Sequence, residues 1–473
     1  MAAGRPTLTV LVLAAGKGTR LRSRTIKLLH PVAGQPMVSH VLDAASGLRP
    51  GRTVTVVGYQ ADQVKHALSG HDTRFAMQRE QLGTGHAVLQ AKKELRQTGT
   101  LLVVNGDLPT LRTASLRRFL DKHRRSRAAL SVLSAEIPDA AGYGRIVRNE
   151  NDVFQRIVEH KDASRAERKI REINVGIYAA NPAKLLRTLA RVRPHNKQGE
   201  YYITDAVHAL LSAGERVIAV RHDDAAEVLG VNTRAELAES GQTLYKRKAQ
   251  ELQSRGITFL DASTTFVDPR ANVGPDTVLY PNVMVEGACR IGRDVVIRPG
   301  CRIVDSTIGD SVEIRDHCVV QQCRIDRGAQ VGPFAHLRPD SHLGADSRVG
   351  NFVELKKTHL GKGSKASHLA YLGDAEIGPG CNIGAGTIFC NYDGVRKHRT
   401  ELGRGVFIGS DSQLVAPLSI GHGAYVGAGS TITEDVPIDA LAVSRGKQRN
   451  IPNWAKKRRA KAAARKKKTS RRG

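Results

Sequence analysis

Residues 267–303 read VDPRANVGPDTVLYPNVMVEGACRIGRDVVIRPGCRI, and an aliphatic side chain returns at every sixth position of this stretch. The same period continues to Ile432, with a slip of one residue before Ile308 and another before Ile325. Neither an α-helix nor an alternating strand produces this period. Repeats of six residues are typical of a parallel β-helix, in which each aliphatic side chain points inward and packs on its counterpart in the next coil. A β-sandwich is the alternative, but it does not require a register held over so many repeats.

Glycine often follows the aliphatic residue, as at Gly292, Gly344 and Gly384. Because glycine adopts backbone torsions that other residues avoid, we expect it to provide torsional freedom at the corners between strands.

The chain has 473 residues, enough for two or three domains with separate cores. Its formal net charge is +28, and more than a third of this comes from residues 455–473, which contain eleven Lys or Arg and no acidic residue. A like-charged block of this kind predicts a basic disordered tail over residues 454–473. Such tails attract nucleic acid or an anionic membrane through salt-sensitive contacts, and the alternative is a solubilising tail without a dedicated partner.

The cysteines and the apolar segments indicate a cytoplasmic protein. All six cysteines lie in the repeat region, without a CxxC pair or a histidine cluster at metal spacing, and we expect reduced thiols in the core. The apolar run Leu8–Ala15 is too short to span a membrane and lacks a cleavage signature, so it is interpreted as the first strand.

The N-terminal half alternates apolar runs with helix-like segments. After Leu8–Ala15 the apolar runs are Thr53–Gly58, Thr100–Val104, Ala128–Leu133 and Val217–Val220, and the helix-like segments include Met37–Ala45 and Ala87–Arg96. This alternation predicts a Rossmann-like, doubly wound α/β domain. Ligands of such sheets bind at the carboxyl ends of the strands.

Polar and glycine-rich segments stand at these strand ends. The loop Gly16–Arg20 lets backbone N–H groups approach phosphate oxygens, which Lys17 and Arg20 can neutralise. Asp107 follows the strand Thr100–Val104 and suits Mg²⁺ bound to nucleotide phosphates. Gln78, before a glycine-containing segment, can read the edge of a base. A plain strand–turn–helix corner and a turn aspartate are the alternatives for the first two.

Together these segments resemble the sugar-nucleotide pyrophosphorylases, whose signature LAAGKGTRL…K stands at Leu13–Leu21 and Lys27. Further segments resemble the uridyltransferase domain of the bacterial bifunctional N-acetylglucosamine-1-phosphate uridyltransferase/glucosamine-1-phosphate acetyltransferases. These segments are Glu80–Ala87, Tyr143–Ile146, Val158–Ala163, Glu172–Asn174 and Gln198–Asp205. Two departures are Ile26, where the family usually has Pro, and Asn105, where an aromatic residue often precedes Gly-Asp.

The resemblance implies a role for each matching residue. Arg20 would stabilise charge on the phosphates, and Asp107 and Asn232 would ligate Mg²⁺. The sugar phosphate would be bound by Gly144, Glu159, Asn174 and Asn232. UTP would be bound by Leu13, Ala14, Ala15, Gly16, Lys27, Gln78, Gly83, Thr84, Asn105, Gly106 and Asp107.

A second group of polar residues crowds the repeat region at residues 350–357 and 364–375, and a loop interrupts the repeats at residues 391–404. His368, with Lys356, Tyr371, Asn382 and Asn391, has the composition of a general base with substrate-holding neighbours. A structural or merely exposed histidine is the alternative.

These segments resemble the acetyltransferase domain of the same family, which implies a left-handed β-helix and a homotrimer with active sites between subunits. His368 would accept the proton of the glucosamine 1-phosphate amine. The sugar phosphate would be held by Arg338, Lys356, Tyr371 and Asn382. Acetyl-CoA would contact Ala385, Asn391, Tyr392, Ser410, Ala428 and Arg445. Asp340 stands where the family often has Gly.

The sequence thus predicts a nucleotidyltransferase domain over residues 1–232, a helical linker over 233–255 and an acetyltransferase β-helix over 256–453. The linker could equally be the last helix of the first domain. The predicted function is synthesis of UDP-N-acetylglucosamine for cell-envelope polymers, by N-acetylation and then Mg²⁺-dependent uridylyl transfer. Two rivals are a single-activity nucleotidyltransferase with a β-helix scaffold, and a nucleic-acid-binding scaffold without enzymatic activity.

Overall fold

The computed structural model describes residues 7–16, 18–193 and 199–469, with only the backbone described for Thr19 and residues 465–469. Lys17 and Gln198 of the sequence motifs lie outside the described residues. The chain divides into two units, Met1–Gln250 and Glu251–Gly473. The division falls inside the helix Arg234–Ser254, within the segment predicted as a linker.

The first unit is an α/β domain. Its strands are β1 Leu8–Ala14, β2 Pro31–Val32, β3 Gln35–Pro36, β4 Arg52–Val57, β5 Arg74–Met77, β6 Thr100–Asn105, β7 Leu130–Glu136, β8 Arg145–Arg148, β9 Phe154–Val158, β10 Glu172–Ala180 and β11 Val217–His222. Its helices are α1 Met37–Ser46, α2 Ala61–Ala67, α3 Thr84–Gln90, α4 Thr113–Ser126, α5 Pro182–Leu189, α6 Ile203–Ser212, α7 Ala225–Val228 and α8 Arg234–Ser254, with 3₁₀ turns at Thr19–Leu21, Lys27–Leu29 and Glu167–Lys169.

The main sheet has the strand order β11-β7-β10-β6-β1-β4-β5, and the β8–β9 hairpin pairs with β10. Neighbouring strands are parallel except at β10, which runs antiparallel to β6 and β7. The predicted α/β class is confirmed. The sheet is mixed because β10, which lies inside it, runs antiparallel to both of its neighbours.

Helices cover both faces of this sheet. On β1, Val10 and Val12 pack in one core with Met37 of α1, and Leu11 packs in the other with Val88 of α3. All are fully buried. A strand buried on both faces has no solvent side, so groups that contact a ligand stand at its ends.

The second unit is a parallel β-helix whose coils have three faces, which are sheets I, II and III. Sheet I contains Thr258–Phe259, Val278–Leu279, Val296–Ile297, Glu313–Ile314, Gln330–Val331, Arg348–Asn351, Lys365–His368, Asn382–Ile383, Phe407–Ile408, Tyr425–Val426 and Leu441–Ala442. Sheet II contains Phe266–Val267, Met284–Glu286, Arg302–Val304, Val319–Gln321, His336–Leu337, Glu354–Lys356, Tyr371–Gly373, Ile388–Cys390, Gln413–Val415 and Thr431–Ile432. Sheet III contains Asn272–Val273, Arg290–Ile291, Thr307–Ile308, Arg324–Ile325, His342–Leu343, His359–Leu360, Ala375–Ile377, Thr400–Leu402 and Leu418–Ile420.

Each six-residue period therefore corresponds to one face of a coil, and three periods make a full turn. Val267 pairs with Val285 and Val285 with Ile303, eighteen residues apart each time. Ile303 pairs with Val320, seventeen residues on, so each predicted one-residue slip is a coil shortened by one residue. The repeated aliphatic side chains are buried and form one continuous core.

Gly332 has the left-handed torsion that the prediction requires, with φ +94°, but other glycines after the aliphatic residues serve a different purpose. Gly292, Gly344 and Gly384 do not have the left-handed torsions that favour glycine. A Cβ on Gly344 would lie 2.7 Å from the backbone nitrogen of Lys362 in the next coil, so glycine allows close approach of coils. Left-handed residues stand two positions later, for example Asp294 and Asp346. Asp340 also has this conformation, with φ +62°, and aspartate tolerates it.

The basic tail differs from the prediction of disorder, because Trp454–Thr469 forms a helix, α9. Ala, Lys and Arg are among the strongest helix formers, so local propensity accounts for it. The six cysteines are free thiols, and five of them are buried in the core as predicted, whereas Cys390 is only partly buried. Within the described residues, none of the helices is both long and apolar enough to cross a membrane.

Candidate functional sites

A cavity of about 430 Å³ opens at the carboxyl ends of β1 and β6 in the first unit. Its lining includes most of the residues predicted for the nucleotide: Leu13, Ala15, Gly16, Arg20, Lys27, Gln78, Gly83, Thr84, Asn105 and Asp107. Ala14 and Gly106 are not part of this lining. The remaining lining residues, for which no role was predicted, are Gly18, Leu28, Gln81, Ala87 and Glu200.

Two cations and two oxygen ligands meet at one end of this cavity. The Lys27 ammonium lies 2.6 Å from Oδ2 of Asp107 and 2.9 Å from Oδ1 of Asn232. Arg20 donates to the same Asn232 oxygen over 2.7 Å. Lys27, Asp107 and Asn232 are far apart in sequence, and the fold brings them together as the resemblance implied.

Asn232 is held in place by the start of α8. The Glu236 carboxylate accepts from the backbone N–H of Asn232 and of Thr233, and the Thr233 hydroxyl accepts from the N–H of Glu236. This reciprocal pair is a capping box, which fixes both the helix start and the residue before it. The Thr-x-x-Glu spacing was the sequence signal for Glu236, and it was missed.

The donor set at this point fits a hard divalent cation. A carboxylate oxygen and an amide oxygen converge on a single cationic atom, the Lys27 ammonium, and oxygen ligands are those that Mg²⁺ and Ca²⁺ prefer. No group of three or more His, Cys, Asp or Glu in the described residues is arranged to hold a metal. A metal bound here would therefore take its other ligands from water and from substrate phosphates.

Gln78 is a buried residue of the cavity lining. Its amide nitrogen donates to the Gly83 carbonyl over 3.1 Å and lies 3.1 Å from Nδ1 of His86. Gly83 has φ +103°, and a Cβ there would lie 2.6 Å from the Tyr201 carbonyl oxygen, so only glycine fits. The protein thus fixes the orientation of the Gln78 amide, which a base reader requires. His86, which helps to fix it, was not singled out in the sequence.

Three of the four predicted sugar-phosphate residues of the first unit also come together, while Asn232 lies with Lys27. The Asn174 N–H donates to the Gly144 carbonyl over 2.9 Å, and a Cβ on Gly144 would lie 3.3 Å from Oε2 of Glu159. Thr204 donates to Glu159 over 3.2 Å, and the Asn174 amide donates to the Tyr178 hydroxyl over 2.7 Å. Burial raises the pKa of Glu159. The sequence did not identify Thr204 or Tyr178.

In the second unit, one corner of the β-helix carries a column of aligned residues, the sheet I column. Each stands two positions after an inward-pointing residue of sheet I, and the strand registers place Asn351 beside His368 and continue coil by coil. The column runs Asn351, His368, Ala385, Ser410, Ala428. It joins the predicted base to three small residues predicted for acetyl-CoA.

The imidazole of His368 is oriented by Asn351. Its Nδ1–H donates to Oδ1 of Asn351 over 2.6 Å, which leaves Nε2 unprotonated in the neutral ring. An exposed imidazole with a fixed Nδ1 proton can accept a proton at Nε2. Asn351 lies in the polar stretch 350–357, but no role was predicted for it.

A second polar cluster lies around Asp374 at the edge of sheet II. Asp374 lies 3.5 Å from the Lys356 ammonium and accepts a short hydrogen bond from the Asn391 amide. The same amide lies 3.4 Å from the Tyr371 hydroxyl. The pKa of Lys397 is lowered because Lys356 hydrogen-bonds to it and carries a like charge.

The other predicted contacts of the second unit are dispersed. Arg338 pairs with Glu354 over 2.8 Å, and Glu354 lies one coil before Tyr371. Asn382 begins the sheet I strand that pairs with the His368 strand. The Tyr392 hydroxyl donates to the Gly394 carbonyl within the loop, and Arg445 donates to the Ala428 carbonyl at the end of the column over 2.9 Å.

Comparisons with known proteins cover both units. The model for the MobA-like NTP transferase domain matches residues 10–172, and that for the GMPPB C-terminal domain matches residues 262–336. The bifunctional protein GlmU of Koribacter versatilis is 47% identical over 455 residues, covering 95% of this chain and 97% of that protein. Bifunctional protein GlmU of Stutzerimonas stutzeri is 47% identical over 448 residues (95% and 98%), and that of Brevibacillus brevis 46% over 448 residues (94% and 97%).

Proposed function

This chain belongs to the family of bifunctional GlmU proteins, and we propose that its two sites catalyse two successive steps of one synthesis. The enzyme is an acetyltransferase and a uridyltransferase that makes UDP-N-acetylglucosamine. The second unit transfers acetyl from acetyl-CoA to the amine of glucosamine 1-phosphate. The first unit then joins the product to the uridylyl group of UTP and releases pyrophosphate.

In the first unit, the sugar phosphate oxygen attacks the α-phosphorus of UTP in line, and the bond to pyrophosphate breaks. This reaction needs positioning and neutralisation of charge rather than a covalent protein intermediate. Lys27 and Arg20 meet at the Asp107 end of the cavity and neutralise the phosphates, while Gln78 reads the base at the other end. Glu159, Gly144 and Asn174 bind the sugar.

Asp107 and Asn232 would hold the divalent metal, which we propose to be Mg²⁺. When bound, Mg²⁺ supplies positive charge to the phosphate oxygens as bond breaking proceeds. Lys27 now donates to these two oxygens, and its ammonium would be available to a phosphate if a metal held them instead.

In the second unit, His368 accepts a proton from the substrate amine through Nε2. The amine nitrogen forms a bond to the acetyl carbon, the carbon–sulfur bond breaks, and the proton passes to the CoA sulfur. Asn351 keeps the other imidazole nitrogen protonated throughout. The small side chains of Ala385, Ser410 and Ala428 leave room along the sheet I column for the pantetheine arm.

We propose a homotrimer whose acetyltransferase sites lie between copies. An exposed apolar row stands beside the sheet I column: Phe334, Phe352 and Leu369 are 48%, 56% and 61% exposed. The two phenylalanine rings stack at 5.4 Å. Apolar surface of this kind next to a site marks an interaction surface. The buried free thiols further support a cytoplasmic location.

The hydrogen bond between His368 and Asn351 carries the assignment of two activities rather than one, because a scaffold has no need of an oriented, exposed imidazole. The test assays wild type, His368→Ala and Asp107→Ala in parallel. One assay follows CoA thiol release from acetyl-CoA and glucosamine 1-phosphate, and the other pyrophosphate release from UTP and N-acetylglucosamine 1-phosphate.

Each substitution should abolish one activity and spare the other, so each variant is the folding control for its counterpart. Wild type that releases pyrophosphate but no thiol would make the β-helix a scaffold.

A further inference from the structure

The helix α9, Trp454–Thr469, has no role in either reaction described above. It contains nine Lys or Arg in sixteen residues. The side chains of Lys456, Lys457, Arg458, Arg459 and Lys461 are all exposed. Within the described part of the chain, no ion pair joins them to an acidic residue, and residues 455–473 contain no acid at all. The helix is therefore a block of uncompensated positive charge.

The cations surround the helix rather than lining one side. At about 100° per residue, Lys456, Lys457, Arg458 and Arg459 alone point in four well-separated directions. The residues between them are alanines, so α9 has no continuous apolar stripe. A helix that lies in a membrane surface needs such a stripe, with bulky apolar residues opposite the basic ones. The charge pattern thus favours a partner that meets the helix by charge alone.

The like charges also oppose the helix that carries them. Lys457 and Lys461 stand four residues apart, and Lys456 and Arg459 three apart, and like-charged neighbours at these spacings repel one another on a helix surface. A polyanion removes this repulsion. A partner that binds α9 should therefore also increase its helix content.

We propose that α9 binds the phosphodiester backbone of a polynucleotide, without reading its sequence. Sixteen residues of helix span about 24 Å, which places a cation roughly every 2.7 Å along the axis. Duplex DNA carries one charge per about 1.7 Å, so the two charge densities are of the same order. A helix of this width also fits the major groove of B-DNA, about 12 Å wide. RNA and DNA share this backbone chemistry, and the experiment distinguishes them.

Trp454, the single tryptophan of the chain, begins α9 and reports on it directly. The Arg458 guanidinium lies 5.1 Å from the centre of its ring, and contact of Arg458 with phosphate changes that environment. Full-length protein is titrated at several salt concentrations with a 20-base-pair RNA duplex, the DNA duplex of the same sequence, and vesicles of equal parts phosphatidylcholine and phosphatidylglycerol. Tryptophan emission gives the affinity, and circular dichroism gives the helix content.

Two triple variants remove the same charge from two helices. The test variant is Lys456→Gln, Lys457→Gln, Arg459→Gln, which keeps Arg458 beside the tryptophan. The control is Arg117→Gln, Lys122→Gln, Arg125→Gln on α4, where all three side chains are also exposed. If the three tail cations each contact a phosphate, the test variant should bind duplex DNA about 100-fold more weakly at 150 mM salt, with a salt slope smaller by about 2.7. The control should bind like wild type.

Binding of one duplex alone would assign RNA or DNA as the partner. The proposal is overturned if neither duplex binds, if both triple variants weaken binding equally, or if only the vesicles change the emission. That last result would assign α9 to an anionic membrane surface. Both enzymatic activities serve as the folding control, since none of the six substituted residues belongs to either site.

Discussion

Replacing Asn351 by alanine should slow acetyl transfer without affecting uridylyl transfer. The Asn351 oxygen accepts the Nδ1 proton of His368 over 2.6 Å, and this bond fixes both the ring orientation and the tautomer. In the Asn351→Ala variant the imidazole can rotate and can carry its proton on Nε2, where the base must be free. The lost interaction is one that strengthens as His368 becomes positively charged.

A hydrogen bond to a charged group is worth about 1.5–3 kcal/mol. If it is fully expressed in the transition state, its loss lowers kcat by roughly 10- to 150-fold. The KM for glucosamine 1-phosphate should change little, because Asn351 acts through His368 rather than on the sugar. Asn351→Asp restores an acceptor, and its carboxylate favours the protonated imidazole, so this variant should regain rate only at higher pH.

The assay follows CoA thiol release at saturating substrates from pH 6 to 9, with pyrophosphate release by the same sample as the folding control. A kcat for Asn351→Ala within twofold of wild type would refute the orienting role of Asn351. Equal loss of both activities would show instead that the substitution unfolds the protein.

Three further outcomes follow from particular contacts. Burial raises the pKa of Glu159, so the folded protein holds this proton more tightly and loses stability as pH rises from the unfolded value near 4.5. The Glu159→Gln variant should therefore have a melting temperature no lower than that of wild type at pH 7. Its KM for N-acetylglucosamine 1-phosphate should nevertheless be higher. Burial opposes ionisation of Glu172, but hydrogen bonds from Arg148 and Ser134 lower its pKa to about 2. Wild type should therefore lose stability as pH falls from about 4.5 toward 2. An equal fall in the melting temperature of Glu172→Gln over this pH range would contradict the prediction. In Gly384→Ala the new Cβ would lie 2.5 Å from the Ser410 nitrogen. Calorimetry should show a destabilised β-helix, and acetyl transfer should be reduced while uridylyl transfer is kept. An unchanged melting temperature would show that the coils can separate at little energetic cost.

The sequence was most informative where one physical requirement repeats. Each inward position of the β-helix needs an apolar side chain, so the period alone predicted the parallel β-helix and two of its shortened coils. The shortened coils that end at Leu360 and Ile377 were not predicted. The reason predicted for the glycines holds at Gly332 but not at Gly344. Gly344 is required by the backbone of Lys362 in the next coil, and this tertiary contact leaves no mark in the local sequence.

The sites were predicted mainly through the family resemblance. It named Lys27, Asp107 and Asn232, whose meeting depends on chain segments about 80 and 205 residues apart. Local reasoning alone could not join them. The positioning residues Asn351 and Glu236 were missed, although each left a signal: Asn351 stands two positions after Val349 just as His368 follows Ala366, and Glu236 completes a capping box with Thr233. The helix α9 was not predicted, because a block of like charges is typical of disorder. The high helix propensity of Ala, Lys and Arg in the same segment favours the helix instead.

The sheet I column sets fixed distances along the axis of the β-helix. Neighbouring coils lie about 4.8 Å apart, so His368 and Ala428, three coils apart, are separated by about 14 Å along the axis. Extra residues between Phe389 and Leu414 leave this spacing alone, because they loop out of a coil whose ends still pair in register. The reach from the base to the far end of the donor site can therefore change only in whole-coil increments. Point substitutions can change the affinity for the acyl donor. To fit a donor with a longer or shorter arm, the β-helix would have to gain or lose a complete turn of about eighteen residues.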